Sequence, residues 1–414
     1  MATTLQVYNN LLKKHQPWQA MEDKVKRSDF FLKKVKMKKD FVEDEMAIPF
    51  ITAGHSNVRA GKLTPVAEIT RGDGEQGVLL DSELLELWGT IKVNEKDIRK
   101  HKSAEASFKA LFPQKITGLM ETMKEQVSVM FLQDGSLANV TAYTTDGTDG
   151  KIKVNRPERF QPRQRLDFND GVTNVAGYIR TIDMETNELT IYNAEEAGAV
   201  VNLSVAGGMI SAVAIKVYVY DHGQVTHDSL KDMLLPLSQG GKATLHGINK
   251  LTSPILQAHY KDASAWTATT ILKDLFDMVR EVKQKGKVMK SSVIVPYFAF
   301  NDIVLKAQEA KRYSADDVEA GIGFDKVTIR GAGGSMEIIG VFDLTDTGYI
   351  MDWEHLYLCS AEMFSTNREL GAEPWERVRT EDGHIYILDV LFKGGLALRK
   401  ASGFGVIDNL DYGA

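Results

Sequence analysis

The residues best suited to chemistry in this chain are few and scattered. Arg330-Gly331-Ala332-Gly333-Gly334-Ser335-Met336 has the glycine density of a loop that cradles phosphate with backbone N–H groups. Met336 stands where the dinucleotide pattern needs its third glycine, and no Gly-Lys-Ser/Thr follows, so neither phosphate motif is met. Asp221-His222 and His227-Asp228 offer metal-ligand atoms, but in a glycine-containing loop with no third partner in view. They read as surface side chains, as do His246 and His259. Cys359, the only cysteine, sits in the apolar run Leu356–Cys359 and reads as a small buried hydrophobe. One cysteine leaves no intrachain disulfide and no Cys-based zinc site, which fits a reducing compartment. Arg71-Gly72-Asp73 spells an adhesion tripeptide, too short to mean much alone. No carboxylate pair falls in a diagnostic frame. The chain is therefore expected not to be an enzyme and to hold no cofactor and no metal.

What these residues hang on is a chain too long for one core: 414 residues imply two or three domains or subdomains. A hydrophobic share of 43% is enough to build them. The net charge of −6 argues against a dedicated nucleic-acid binder with a strongly basic face. Met1–Asn10 lacks the apolar stretch of a signal peptide, and no membrane-spanning apolar run occurs. A soluble intracellular product is the expectation.

The longest periodic stretch runs from Pro113 to about Gln133. Ile116, Leu119, Met120, Met123, Val127 and Met130 recur at steps of three and four, predicting a helix with one apolar face. Lys115, Glu121, Lys124, Glu125 and Ser128 lie off that stripe. Pro113 suits a first turn and Gly135 a stop. Before it, residues 1–47 form a charged arm; between Lys24 and Lys39 it carries Lys24, Lys26, Arg27, Lys33, Lys34, Lys36, Lys38 and Lys39 against one acid, Asp29, and the charge reverses at Asp40, Glu43, Asp44 and Glu45. Such a run is either a solvated helix or an arm lying on an acidic neighbour or on nucleic acid. Residues 48–100 read as a two-stranded excursion. Its tip, with Arg71, Asp73 and Glu75, is rich in turn formers, and Leu87, Gly89, Ile91 and Val93 alternate with Trp88, Thr90 and Lys92 on the return strand. An isolated ribbon is marginal in water, so Leu87, Trp88 and Ile91 are expected to lie on another chain.

After the long helix the chain turns β-rich, and 163–222 reads as a small inserted β subdomain. Thr267–Lys285 is a second amphipathic helix stopped by Gly286, followed by the buried strand Ser292–Pro296 and a helix over Tyr297–Lys311. Short strands are predicted over Phe324–Ile329, Met336–Phe342 and Tyr349–Met351. Ile385–Phe392 is the most apolar run; a turn at Gly394-Gly395 and the strands Leu396–Leu398 and Gly403–Leu410 close the chain.

Three stretches, spread over most of residues 40–414, carry a resemblance. One runs from Ile91-Lys92-Val93 through Ser107-Phe108 into the helix ending Phe131-Leu132-Gln133-Asp134-Gly135. Another is the 267–285 helix leading into Ser292-Val293-Ile294-Val295-Pro296-Tyr297. The third is Gly383-His384-Ile385-Tyr386-Ile387-Leu388-Asp389-Val390 through Gly395-Leu396-Ala397-Leu398-Arg399 to Gly405-Val406-Ile407. In order and pattern these resemble the major capsid protein of tailed bacteriophages, with the Hong Kong 97-type fold. The resemblance implies an α+β fold with N-arm (1–47), E-loop hairpin (48–100), spine helix and start of the peripheral (P) domain (101–162) and the inserted subdomain (163–222). It further implies an axial (A) domain region (223–266), the P-domain helix and strand (267–296), the A domain (297–370) and C-terminal P-domain strands (371–414). It also implies hexamers and pentamers of one subunit in an icosahedral head, made in the host cytoplasm and carried in the virion. Implied partners are a portal, possible scaffolding or decoration proteins, and DNA contacted non-specifically, with no membrane. Lys33, Lys34, Lys36, Lys38, Arg71, Asp73, Glu75, Leu87, Trp88 and Ile91 are the expected inter-subunit contacts. Lys62 and Lys92 lie in the loop region, with no motif to select either for a crosslink. An encapsulin-type compartment shell and another phage structural component are the alternatives.

Overall fold

The structure, a computed structural model, describes residues 30–38, 41–42, 45–51, 77–80, 85–94, 104–133, 135–143, 150–170, 173–194, 198–201, 215–219, 229–251, 253–267, 269–288, 291–311, 326–331, 334–360, 364–366, 375–380 and 383–410. The first described elements are helix α1 (Phe30–Lys34) and strands β1 (Lys36–Lys38), β2 (Phe41–Val42), β3 (Glu45–Ile51), β4 (Gly77–Leu80) and β5 (Leu85–Asn94). Helix α2 (Ala104–Leu132) precedes β6 (Ala138–Tyr143), β7 (Lys151–Val154), β8 (Arg165–Asn169), β9 (Asn174–Asp183), β10 (Glu188–Tyr192) and β11 (Lys216–Val219). Next come α3 (Leu230–Leu234), β12 (Thr244–Leu245), β13 (Ile248–Asn249), β14 (His259–Asp262), α4 (Ile271–Gly286), β15 (Ser292–Pro296) and α5 (Tyr297–Lys311). The last strands are β16 (Lys326–Gly331), β17 (Gly334–Val341), β18 (Gly348–Met351), β19 (Leu356–Cys359), β20 (Phe364–Thr366), β21 (Trp375–Thr380), β22 (Gly383–Leu398) and β23 (Gly405–Asp408). They fall into two units, one drawn from Leu87–Ser229 and Asn367–Val390, the other from Glu22–Glu86, Leu230–Thr366 and Leu391–Ala414.

In the first unit, α2 runs for 29 residues and begins well before Pro113, which lies inside it. An interior proline removes one backbone hydrogen bond and costs about 3 kcal/mol. Ala104, Glu105, Ala106, Lys109, Ala110 and Leu111 are strong helix formers, and their propensity carries the helix through the break. From Val127 to Gln133 every residue is buried, so the end of the helix has no solvent face. Ser128, expected outside, is 1% exposed and its hydroxyl finds no hydrogen-bond partner among the described residues. Gly135 follows with a φ of 84°, as a helix stop requires.

Beyond α2 lies a closed six-stranded barrel in the order β10-β7-β6-β11-β8-β9. Alternate residues fill it: Val140, Ile152, Val154, Leu166, Phe168, Ile179, Leu189, Ile191 and Val217 are all buried, and Val129 of α2 belongs to the same core. The expected subdomain boundary at 163 is therefore too late, because β6 and β7 are two of the six staves. Their sequences are short and lie on either side of a polar stretch, so neither stood out. In the same unit, β21 pairs antiparallel with the start of β22, from Trp375↔Leu388 to Thr380↔Gly383. Strand β5 also pairs with β22, and Thr90 donates to the Asp389 carboxylate at 2.8 Å.

The second unit is built on the sheet β14-β23-β18-β15-β17-β16. Strand β15 lies parallel to β17 and antiparallel to β18, and all five of its residues are buried. A strand covered on both faces reads as a continuous apolar run. Helix α4 packs Ile271, Leu275, Met278, Val279 and Val282 into a core shared with Val293, Val295, Phe300 and Ile338. The expected division between a P-domain stretch 267–296 and an A domain 297–370 does not stand, since β15, β17 and β18 are neighbours in one sheet. Helix α4 includes Gly286, and the left-handed residue is Lys287, with φ 53°. Gly286 is needed for another reason: a Cβ there would lie 2.4 Å from the Ser402 carbonyl oxygen.

Also in this unit, β2-β3-β4 form a three-stranded sheet, with Met46↔Leu80 and Ile51↔Gly77 in register. The excursion is thus not a two-stranded ribbon closed by residues 87–93; the outgoing strand pairs with β4. The end of β22 pairs with β19, and β19 in turn with β1 in parallel. Gly394-Gly395 makes no turn. Gly395 is a ladder partner of Cys359, and β22 runs unbroken for 16 residues.

Candidate assembly surface

The groups first considered for chemistry are mostly structural. Arg330 pairs with Ser335 and Gly331 with Gly334, so the glycine run joins two antiparallel strands and opens no helix. Cys359 is fully buried and paired through its backbone on both sides, to Lys38 and to Gly395. His246, expected at the surface, is 4% exposed; its Nε2 accepts the Leu398 backbone N–H at 3.1 Å. It takes a left-handed φ of 50°, and a polar ring buried there needs such a partner. His259 is half-buried, and its pKa is held below the ordinary value, chiefly by desolvation. His222 and His227 lie outside the described residues. Among the described residues no group of three His, Cys, Asp or Glu side chains is placed to hold a metal ion, and no helix is long and apolar enough to cross a membrane.

Other polar contacts brace the second unit. Lys231 on α3 reaches Asp408 on β23 at 3.0 Å and Asp346 at 3.8 Å, while Thr347 donates to both carboxylates. Asp352, 2% exposed, is 2.7 Å from His355 Nδ1. Sequence spacing gave no hint of either, because each links segments far apart or hides inside a turn.

The contact residues expected from sequence divide into three groups. Lys33, Lys34 and Lys36 are exposed, but the segment bearing them is anchored to its own unit. Phe31, Leu32 and Val35 are buried, and the rings of Phe30 and Phe31 lie 5.8 and 6.1 Å from that of Trp353. Lys34 stands 3.8 Å from Glu337, and the backbone of Lys38 pairs with Cys359. An exposed pair of this kind contributes about 0–1 kcal/mol, so the buried aromatics hold the segment down. The amphipathic step Phe31-Leu32-Val35 was the signal, masked by the lysines between.

On β5 the alternation expected from sequence is present, but its apolar face is already covered. Leu87 and Ile91 are 5% and 3% exposed within their own chain, and Gly89 faces Leu119 and Met123 of α2. These two residues do not wait for a neighbouring subunit. Trp88, on the opposite face, is 50% exposed. Arg71, Asp73 and Glu75 lie outside the described residues.

Exposed apolar side chains also occur where no contact was expected. Phe342 is 59% exposed and stacks on Tyr297 at 4.3 Å, and Leu305 on α5 is 57% exposed. Phe298 and Leu305 are seven residues apart, on the side of α5 away from buried Ala299, Phe300 and Ile303. That second apolar stripe was legible in the sequence.

No family model and no curated protein matches the chain. Solved structures do. The cyanophage A-1(L) capsid asymmetric unit is similar at 10% identity and a TM-score of 0.40, over 91% of this chain and 90% of that one. Mycobacterium phage Cain is similar at 9% identity and a TM-score of 0.43, over 92% and 90%. A virus-like particle from Pyrococcus furiosus matches 36% of this chain and 54% of its own, at 13% identity and a TM-score of 0.23. The solved structures that match this chain over about nine-tenths of its length include phage capsids.

Proposed function

We propose that this chain is the major capsid protein of a tailed phage, a structural subunit and not an enzyme. Its copies would form hexamers and pentamers in an icosahedral head around double-stranded DNA. The observation that carries this reading is the order of parts: a basic arm, an excursion, a 29-residue helix, an inserted barrel, an α/β sheet and a 16-residue closing strand. An exposed Trp88 on one face of β5 supports it as well. Closed symmetric shells multiply a small gain per contact over many copies. Lys33, Lys34, Lys36 and Lys38 are proposed to meet an acidic neighbour or the packaged genome, and Arg71, Asp73, Glu75 and Trp88 an adjacent subunit. Assembly would take place in the host cytoplasm with a portal and any scaffolding or decoration proteins, and the product would be the virion head. Electron microscopy of the purified protein, alone and with a co-expressed scaffold, tests this: closed hollow shells are expected. Monomers or small rings under every assembly condition would overturn it.

A further inference from the structure

Strand β22 ends on a hydrogen bond that only a neutral histidine can accept. Successive backbone N–H groups of a strand point to opposite sides. The Arg399 N–H is taken by the His355 carbonyl at 2.9 Å, on the β19 side. The Leu398 N–H points the other way, and its acceptor at 3.1 Å is Nε2 of His246. Leu398 is fully buried and His246 nearly so, which leaves water no room to take over the bond. A backbone nitrogen can only donate. Nε2 therefore carries no proton, and the ring is neutral with its hydrogen on Nδ1.

The ring is held there against the preference of its own turn. His246 and Gly247 join β12 to β13 with φ of 50° and 76°. Two left-handed residues in a two-residue loop make a type I′ turn, which Asn-Gly fits best. The hairpin itself is braced from below: the Lys250 ammonium donates to the carbonyls of Asp232 and Leu235, at 3.3 Å each, at the end of α3. The ionisable groups on the elements around the ring are few. Lys250 shares its hairpin, Asp232 lies on α3, Arg399 follows Leu398, and Asp352 and His355 precede β19. Lys250 and Arg399 are cations, and the Asp352 carboxylate is engaged by His355 at 2.7 Å. A further positive charge on a buried ring is disfavoured in such surroundings.

We infer that His246 is an acid-sensitive latch: protonation of its ring breaks the bond to Leu398 and frees the end of β22 from the β12–β13 hairpin, whether or not the chain is assembled. A proton on Nε2 would set one donor against another, so the ring can take it only after leaving its site. An exposed imidazole titrates near pH 6.5. The open form then gains about tenfold in population between about pH 7.5 and pH 5.5, because it binds the proton and the closed form does not.

Hydrogen–deuterium exchange of the full chain, read by mass spectrometry over residues 396–402, tests this at those two pH values. Comparing chains at the same pH cancels the change in intrinsic exchange chemistry. His246→Gln places an amide oxygen at about the reach of Nε2 and cannot titrate. His246→Asn suits the turn better but is too short to reach Leu398. Both keep His259 and His355, whose titration cancels in the comparison. Relative to either variant, exchange in the parent should rise about tenfold from pH 7.5 to pH 5.5. At pH 7.5, His246→Asn should already exchange roughly tenfold faster than the parent, since it leaves a buried N–H without its acceptor. Either variant suffices as the reference, so one that fails to fold leaves the test intact. A ratio of parent to variant that is the same at both pH values overturns the inference. So does a folded His246→Asn that exchanges as slowly as the parent at pH 7.5.

Discussion

Strands β5 and β15 are both rich in aliphatic residues, and they bury them in opposite ways. Along β5 every second residue is buried and the intervening ones are exposed, while β15 is buried throughout. The difference follows from what lies on each side. Strand β5 has α2 beneath Gly89 and open surface at Trp88, whereas β15 sits between β17 and β18 with α4 and α5 in its core. A half-buried strand tolerates change on one face; a central one tolerates it on neither. The largest expected effect is accordingly Val293→Asp. It would place an unpaired carboxylate at a fully buried position in the middle of the second unit's sheet, at a cost of several kcal/mol. Circular dichroism and limited proteolysis should find this unit unfolded. A soluble variant melting cooperatively near the parent would mean that β15 is not the centre of its sheet.

A finer break in the comparison sets neighbours on β5 against each other. Gly89 has no room: a Cβ would lie 2.6 Å from Leu119 Cδ1 and 2.9 Å from Met123 Sδ. Gly89→Val should therefore lower stability by about 1–3 kcal/mol through overpacking. Trp88→Ser, one residue away and half exposed, should change subunit melting by less than about 0.5 kcal/mol. Its effect should appear in shell yield by sedimentation. Equal losses of stability from both would show that the outer face of β5 is also packed within the subunit.

Periodicity made parts of this fold legible. The β5 alternation, the α4 stripe, β15 and the bounds of α5 all emerge from spacing, because each pattern answers to its immediate surroundings. What stayed hidden depended on distant partners. Nothing near Leu87 announces that β22 will pair with its strand, and nothing in 138–154 announces that two short segments complete a barrel. Glycines misled for a related reason. Gly394-Gly395 looks like a turn and Gly286 like a stop, but the one lies in a ladder and the other makes room for a passing backbone. Of the proposed contact surface, the lysines and Trp88 were visible as exposed types. That Leu87 and Ile91 are spent on their own chain was not.

The smallest effect belongs to an edge strand of the same sheet and comes from pH. His259 lies on β14, which pairs only with β23 among the strands of that sheet, and its ring is half-buried. Desolvation lowers its pKa from 6.5 most strongly; Glu281 pulls it upward, Lys285 pushes it down, and a backbone hydrogen bond at Ser402 raises it. The net direction is down, so the folded state holds a neutral ring where the unfolded chain would take a proton. As pH falls through about 6.5 the unfolded state binds more protons, and stability must fall with it. Above that pH this histidine contributes no slope. Glu281, hydrogen-bonded by Lys285, also has a lowered pKa, but its window opens only as pH falls toward 4.5, so a comparison made at about pH 5.5 and above reads chiefly the histidine. Replacing His259 with Gln removes the titrating ring and keeps a polar side chain. Urea denaturation at about pH 7.5 and pH 5.5 should then show the parent losing more stability on acidification than His259→Gln. Partial exposure keeps the difference small. If parent and variant lose the same amount, the imidazole is already as well solvated in the folded protein as in the unfolded chain, and β14 is a looser edge than its pairing with β23 implies.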